Sequence, residues 1–511
     1  VEFAKVNRVL GFALGALASI LFLSDRAGEN LFLGIVLVSV LTAAATIAIS
    51  WARTVRRSAR ELGAGVLGAS LLGVLAIAAS PSEARPRTAV AVLGILCVGL
   101  LARESARLTD NILCARTESG ITQRAYRAIR LCLSSLLAYL LWQYLVSLAG
   151  PLPKISLKLF ARELVAYTGV FYLVILLSNR ASGFGQQVVR GIVGSLAIAC
   201  VVMLGITALY GIGMLSSSFA VEQKWIRIEP QGSGQTWRLQ FPFEHHNRTG
   251  FFGMIQTFLL PALMLVGGFG SPAWAIASAV GGLLIVGASV TRGALAGAGV
   301  GVAAALCAAP PRARVRFAGT LSVVIIAGAT FAIFSPSQRA HWKDAYRWLT
   351  GRHFAPTSLA SRMAIQSTAL EMIAERPLLG WGYGYSTFET SARRFFPAVA
   401  SQVEGMSHPH NQWIEQAFAG GLPGVVLFSL FTFSRLIGLA FAVRRATSVA
   451  NMRWAIALAL WFGLELAIQA YGLTNTALRR NLGVACYAIW AGSVIFTLST
   501  FACRQPKEVT V

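Results

Sequence analysis

The amino-acid sequence predicts an all-α polytopic membrane protein of about 12–14 transmembrane helices, and three observations carry that prediction. Hydrophobic residues fill 56% of the 511 positions and charged residues only 13%, against about 25% charged in soluble domains. Mean hydropathy is +0.64. Apolar stretches of bilayer-crossing length recur along the whole chain, among them Leu31–Ser50, Val188–Tyr210, Phe252–Gly268 and Leu482–Phe501.

Taken in chain order, the stretch around Leu10–Leu23 is followed by no small-residue cleavage signal and reads as a first span. Orientation follows from arginines in short loops. Clusters at Arg53, Arg56, Arg57 and Arg60, at Arg103, Arg107, Arg116, Arg124 and Arg127, at Arg312, Arg314 and Arg316, and at Arg444 and Arg445 all fall in the cytoplasm under one threading. That threading divides the chain into transmembrane helices over 1–214, a periplasmic segment 215–249, helices over 250–334, a large periplasmic loop 335–413, and C-terminal helices over 414–511. Thr88–Ala102 is short, and Ala273–Ala309 can be split in more than one way.

The smaller periplasmic segment alternates polar and apolar residues around Gln231–Gly232–Ser233–Gly234, which predicts a β-hairpin. The larger is the least hydrophobic part of the chain. It holds a predicted helix over Leu359–Glu375, with Met363, Ile365, Leu370 and Ile373 as its apolar contacts.

Formal net charge is +24. No soluble domain offers a basic groove, so nucleic acid is excluded as a partner, and anionic lipid or lipid-linked substrates fit better. The seven cysteines (97, 114, 132, 200, 307, 486 and 503) have neither metal-ligand nor disulfide spacing. No P-loop or dinucleotide fingerprint is present, and no cofactor is expected. Ionisable groups inside spans cost roughly 2.5–3.5 kcal/mol each. Glu465 is the clearest one here, with Lys158, Arg162 and Glu163 near one interface. Polar chemistry concentrates in the periplasmic loops instead, which favours an enzyme at the outer membrane surface over a carrier.

The most informative stretch is Ser407–His408–Pro409–His410–Asn411–Gln412–Trp413, leading into an apolar helix with Gly420, Gly421, Pro423 and Gly424. Asn411 suits an N-cap. His410 then lies beside the positive end of the helix dipole, which disfavours imidazolium and keeps a general base neutral. Gly420 and Gly424 form a face for close packing, and Pro423 can bend the helix. The competing reading is a surface histidine beside an ordinary cap.

His410–Asn411, nine residues, Gly421, two residues, Gly424 resembles the signature of the bacterial O-antigen ligase/polymerase superfamily. Ser289–Val290–Thr291–Arg292–Gly293–Ala294 resembles the family's Ser/Thr–Arg–Gly segment, and Phe243–Gly250 (Phe-Glu-His-His-Asn-Arg-Thr-Gly) its His/Asn element before a membrane helix. Ser361–Arg362 and Arg376–Gly384 resemble the long-loop region, so the likeness covers roughly Met214–Phe428. It implies a GT-C-like, metal-independent, inverting glycosyltransferase of the bacterial inner membrane with its site facing the periplasm. It also implies an undecaprenyl-diphosphate-linked glycan donor and a lipid A–core, glycan or pilin-serine acceptor.

In that reading His410 is the base, Arg292 and Arg362 clamp the diphosphate, and Asn411 orients. His408, His245, His246, Asn247 and Arg248 are possible substrate-binding residues. Snorkelling is the competing explanation for Arg292, and capping of a solvated helix face the competing explanation for Arg362. Gly380, Gly382 and Gly384 read as a turn with no helix start evident after it. Spacing favours a ligase, with an O-antigen or exopolysaccharide polymerase as the alternative. A flippase of the same glycans is the alternative from a different class.

Overall fold

The computed structural model describes residues 120–165, 167–171, 174–175, 182–231, 234–243, 245–267, 272–315, 358–398, 408–448, 452–478 and 480–501. The spans expected before Gly120 and the segments 316–357 and 399–407 lie outside them. Within the described residues the chain is an all-α, multi-pass membrane protein. Six helices are long and apolar enough to cross a bilayer, and two more apolar helices are shorter.

In chain order, α1 (Gly120–Ala149) leads to α2 (Pro153–Leu159), which continues as a π-helical turn over Phe160–Val165. Then come α3 (Ser182–Gly211), the short α4 (Ser217–Glu222), β1 (Ile226–Gln231) and β2 (Gly234–Leu239). These are followed by α5 (His246–Gly267), α6 (Pro272–Ser289), α7 (Arg292–Ala308), α8 (Ser358–Glu375) and α9 (Tyr385–Phe395), and finally by α10 (Gln412–Ser448), α11 (Met452–Gly472) and α12 (Arg480–Phe501). The predicted hairpin is present as the antiparallel pair β1–β2, in a register that sets Arg227 opposite Arg238. The ambiguous stretch from Ala273 to Ala309 splits into α6 and α7 at Val290–Thr291. Helix α1 begins at Gly120, so Arg124 and Arg127 sit on its first turns rather than in a loop.

Small residues let the helices pack in antiparallel pairs. A Cβ placed on Gly301 of α7 would lie 2.6 Å from Gly463 O of α11, and one on Gly297 would lie 2.8 Å from Ala467 O. Between α5 and α6, a Cβ on Gly253 would lie 2.9 Å from Gly282 O. Such backbone approach is the membrane substitute for a hydrophobic driving force, since lipid tails are as apolar as leucine.

Helix α10 pairs with α1. The Trp142 indole donates to Gly420 O at 2.6 Å, and a Cβ on Gly438 would lie 2.9 Å from Ile129 Cδ1, so the two run antiparallel. The expected bend falls at Gly421, whose φ of 64° and ψ of −166° are open only to glycine. This break frees carbonyls that find partners in the segment before α9. Trp381 N donates to Phe418 O (2.8 Å), and Gly382 N donates to Ala419 O (3.0 Å). In return, Leu422 N donates to Pro377 O at 2.7 Å.

Helix α8 starts within a residue of its predicted boundary, and of its expected apolar contacts Ile365 and Ile373 are made while Met363 and Leu370 are not. Ile365, Ala369 and Met372 are fully buried against Trp381, Phe388 and Phe418, whereas Met363 and Leu370 are exposed. The sequence alone cannot show which face the Trp381 turn covers. That turn also corrects the reading of Gly380, Gly382 and Gly384. All three have positive φ, as a turn requires, but a helix does begin at Tyr385, with Gly384 at its cap.

Among the described residues, the apolar interior holds an ion pair unforeseen in the sequence. Arg435 of α10 donates from Nε to Glu465 Oε1 (2.8 Å) and from Nη2 to Oε2 (3.0 Å) on α11, both residues fully buried. Its guanidinium lies 4.5 Å from the ring centres of Phe431 and Trp490, and Ser493 of α12 donates to Glu465 Oε1. Three helices thereby neutralise the charge expected to stand out at Glu465. No ion-lined cavity of the kind a carrier needs is formed by this pair.

Candidate active site

All the motif residues in the described chain gather at one end of the bundle. The antiparallel pairing brings together the starts of α5, α7 and α10 and the end of α11. The opposite end carries Arg312, Arg314, Arg444, Arg445 and Arg453, where the α7 C-terminus meets the α11 N-terminus through Ala309, Ala313 and Ala459.

The His motif sits at the start of α10. The Asn411 side-chain oxygen accepts from Trp413 N (2.9 Å) and Ile414 N (3.2 Å), so the predicted N-cap forms. With that oxygen committed to the helix, only its amide nitrogen is left to orient anything else. His410 has φ +56°, a left-handed conformation that costs a non-glycine residue roughly 1–2 kcal/mol. His408, buried beside it, stabilises this turn by accepting the His410 backbone N–H on Nδ1 at 3.0 Å. The rings lie 4.0 Å apart. A neutral His408 therefore carries its proton on Nε2. Beneath the pair is a small cavity lined by His408, Glu415, Gln416, Tyr383, Phe388 and Leu478. Burial first, and the Glu163 carboxylate next, push the Tyr383 phenol up from its ordinary range.

The two arginines come together from different elements. Arg292 is exposed at the first residue of α7, just past the tight turn at Val290, where φ is +50°. This is a strained geometry for a β-branched residue. Arg362, on the first turns of α8, donates from Nη1 to Thr474 O at 3.3 Å. Burial pulls the Arg362 guanidinium below its ordinary value, Tyr471 acts against that shift, and the positive charge of Arg292 adds to it. Two cations so placed, with no carboxylate paired to either among the described residues, form a surface that favours an anion.

The His/Asn element forms the adjoining wall. His245 and His246 stack at 4.9 Å, and Asn247 N donates to His245 Nδ1 at 3.2 Å. Arg238 of β2 lies 3.0 Å from His246 Nε2, which accepts, so a neutral His246 has its proton on Nδ1. The Thr291 hydroxyl donates to His246 O (3.0 Å), joining this wall to the Arg292 turn. Arg248 acts on Tyr471 electrostatically, and the Tyr471 hydroxyl donates to Asn247 O at 3.4 Å.

Three groups at this end were not singled out from the sequence: Tyr471, the segment Thr474–Thr476, and Glu415, which accepts from the Thr476 hydroxyl at 2.7 Å. Nothing in their local pattern marks them, because they join the site only through tertiary contact. Among the described residues, no three His, Cys, Asp or Glu side chains lie together as a metal-ligand set.

Among the described residues, the histidines, arginines and amides of these motifs lie at one end of a multi-pass helical bundle. Residues 277–429 match the family described as O-Antigen ligase, a similarity that supports a glycosyltransferase-like membrane enzyme of the O-antigen ligase/polymerase type. The matched region runs from within α6 to the middle of α10 and takes in Arg292, Arg362, His410 and the Gly421 kink. The His245–Arg248 element lies before it. No curated protein matches the chain.

Proposed function

We propose that the protein transfers a glycan from a polyprenyl diphosphate, undecaprenyl diphosphate in bacteria, to an acceptor hydroxyl at the periplasmic face of the inner membrane. The supporting observation is the Arg292–Arg362 pair, two like charges held together at the end of the bundle where His410 precedes the Asn411 cap of α10. A leaving diphosphate supplies the missing anion, and planar guanidinium forks can bind it bidentately. Neutral His410 takes the proton of the attacking hydroxyl, an effect worth about 10²–10⁴ in rate. The oxygen attacks the anomeric carbon, the carbon–oxygen bond to the diphosphate breaks, and the sugar inverts. No step calls for a metal.

The acceptor we favour is lipid A–core, making the protein an O-antigen ligase. Arg227, Arg238 and Lys224 lie around the hairpin and suit a phosphorylated acceptor. A polymerase would present the same donor site to a second lipid-linked glycan.

Purified protein in detergent, given a polyprenyl-diphosphate-linked glycan, is expected to transfer it without a sealed membrane. Transport without transfer would replace the enzyme reading with a flippase. A deletion strain is expected to keep long lipid-linked chains that are not joined to lipid A–core; accumulation of single repeat units would identify a polymerase. In a cysteine-free variant, a cysteine at exposed Leu378 should label from the periplasm and one at Arg445 should not.

A further inference from the structure

We propose that the α11–α12 connection, Leu473–Leu478, positions the reacting groups, with Thr474 holding Arg362 beside Arg292 while Thr476 holds the first turn of α10 and hence His410. This rests on the transferase reading above. The connection lies beyond the segment matching the O-antigen ligase family.

The loop touches each part of the site through a different atom. Its base is fixed by Tyr471, whose carbonyl accepts from Thr474 N and Asn475 N, each at 3.0 Å, and from the Thr474 hydroxyl at 3.1 Å. On one side the Thr474 carbonyl accepts from Arg362 Nη1. On the same side the loop lies directly on the start of α7. A Cβ on Gly293 would stand 2.4 Å from Thr474 Oγ1 and 2.7 Å from Asn475 Nδ2. Only a residue without a side chain next to Arg292 lets the loop come this close.

On the other side the Thr476 hydroxyl, buried, donates to Glu415 Oε2 at 2.7 Å. Glu415 N in turn donates to Asn411 O at 2.9 Å in the opening turn of α10. Glu415 also lines the cavity beneath His408, whose Nδ1 fixes the His410 backbone. The chain of contacts from the start of α7 to His410 therefore passes through three consecutive loop residues, Thr474–Thr476, and a shift in the loop changes the separation of anion clamp and base. Misplacement of about 1 Å can cost about 10²-fold in rate.

The test is transfer kinetics on purified full-length protein with a polyprenyl-diphosphate-linked glycan. Thr476→Val, isosteric but without the hydroxyl, is expected to lower kcat by roughly 10- to 100-fold with the donor KM little changed. Thr476→Ser, which restores the hydroxyl, is expected to recover most of the rate. Combining Thr476→Val with Glu415→Ala should lose less than the sum of the two single losses, as for two ends of one contact. Gly293→Ala should raise donor KM and lower kcat, and Gly293→Ala/Thr474→Ala, which clears the nearest obstruction, should regain part of both.

Wild-type kinetics in Thr476→Val, equal losses in the Val and Ser variants, or additive losses with Glu415→Ala would each overturn the proposal. If Thr476→Val does not fold, as read by its melting profile, the Gly293 pair decides alone: no recovery in the double variant overturns it. A wild-type protein that transfers nothing would instead sink the transferase reading.

Discussion

His408 Nδ1 accepts the backbone N–H of His410 at 3.0 Å, so one histidine of the pair fixes the other. Their roles differ accordingly. His410 sits in a left-handed turn just before the Asn411 cap. His408 is buried and spends one nitrogen on holding that turn.

Replacing His410 by Ala is expected to abolish transfer by about 10²-fold or more. His408→Ala should lose less, and His408→Asn, whose Oδ1 can take over from Nδ1, should retain more activity than Ala. Transfer rates of detergent-purified variants check this order. Equal loss in His408→Ala and His408→Asn would show that His408 has a chemical role of its own.

Arg362 is destabilised first by burial and, in part, by Arg292, so its charge costs folding energy until an anion arrives. With the folded pKa depressed below that of the unfolded chain, this cost applies at every pH well under the ordinary arginine value. No titration near neutrality relieves it. Arg292→Gln and Arg362→Gln are expected to raise the melting temperature of the ligand-free protein by about 1–2 °C and to weaken its stabilisation by pyrophosphate. Lys at either position should bind pyrophosphate poorly. Unchanged stabilisation by pyrophosphate in Arg362→Gln would remove that residue from the anion site.

The Arg435–Glu465 pair yields a prediction of opposite sign. Glu465→Gln leaves a buried guanidinium without its counter-charge and should cost about 3–5 kcal/mol. Arg435→Met/Glu465→Leu, which removes both charges, should recover most of that stability and keep transfer activity. Melting curves and transfer assays on the same preparations test it. Loss of transfer in a well-folded double variant would mean the pair has a role in the reaction.

Gly421 is closed to any side chain by two independent facts. Its φ is +64°, and an added Cβ would stand 2.4 Å from Leu378 O. Gly421→Ala should therefore displace the Pro377–Gly382 segment, lower stability by about 1–3 kcal/mol and reduce transfer. Gly424→Ala, where the nearest atom is a Gln143 amide nitrogen at 3.2 Å, should be milder.

How much of this was legible in the sequence depended on the range of the interaction. The hairpin, the α8 boundaries and the Asn411 cap rest on neighbours within a few residues, and each formed where the pattern placed it. Ile365 and Ile373 make the contacts the pattern indicates, but Met363 and Leu370 face away while Ala369 and Met372 are buried, because Trp381, from a later turn, selects the face. Arg435 was visible in an apolar stretch one span before Glu465 and went unread as its partner. The loop Thr474–Thr476 carried no such mark. Its role depends on which helix ends the bundle brings together, and threonines and an asparagine after a span look like any connection.

The brevity of α6 and α7 has a consequence for the surrounding lipid. At 18 and 17 residues they are about 27 and 26 Å long, shorter than the roughly 30 Å hydrocarbon layer. Their neighbours α5 and α11, at 22 and 21 residues, are long enough to span it. Close backbone contact at Gly301 and Gly463 prevents α7 from sliding along α11 to make up the shortfall. Thinning of the bilayer beside the α6–α7 turn is one way to relieve such a mismatch, and it would bring the headgroup plane closer to Arg292. A diphosphate carried on a lipid would meet the guanidinium there without its chain being drawn out of the membrane. Reconstitution in longer-chain lipids should therefore raise donor KM while leaving the melting temperature in detergent as it was.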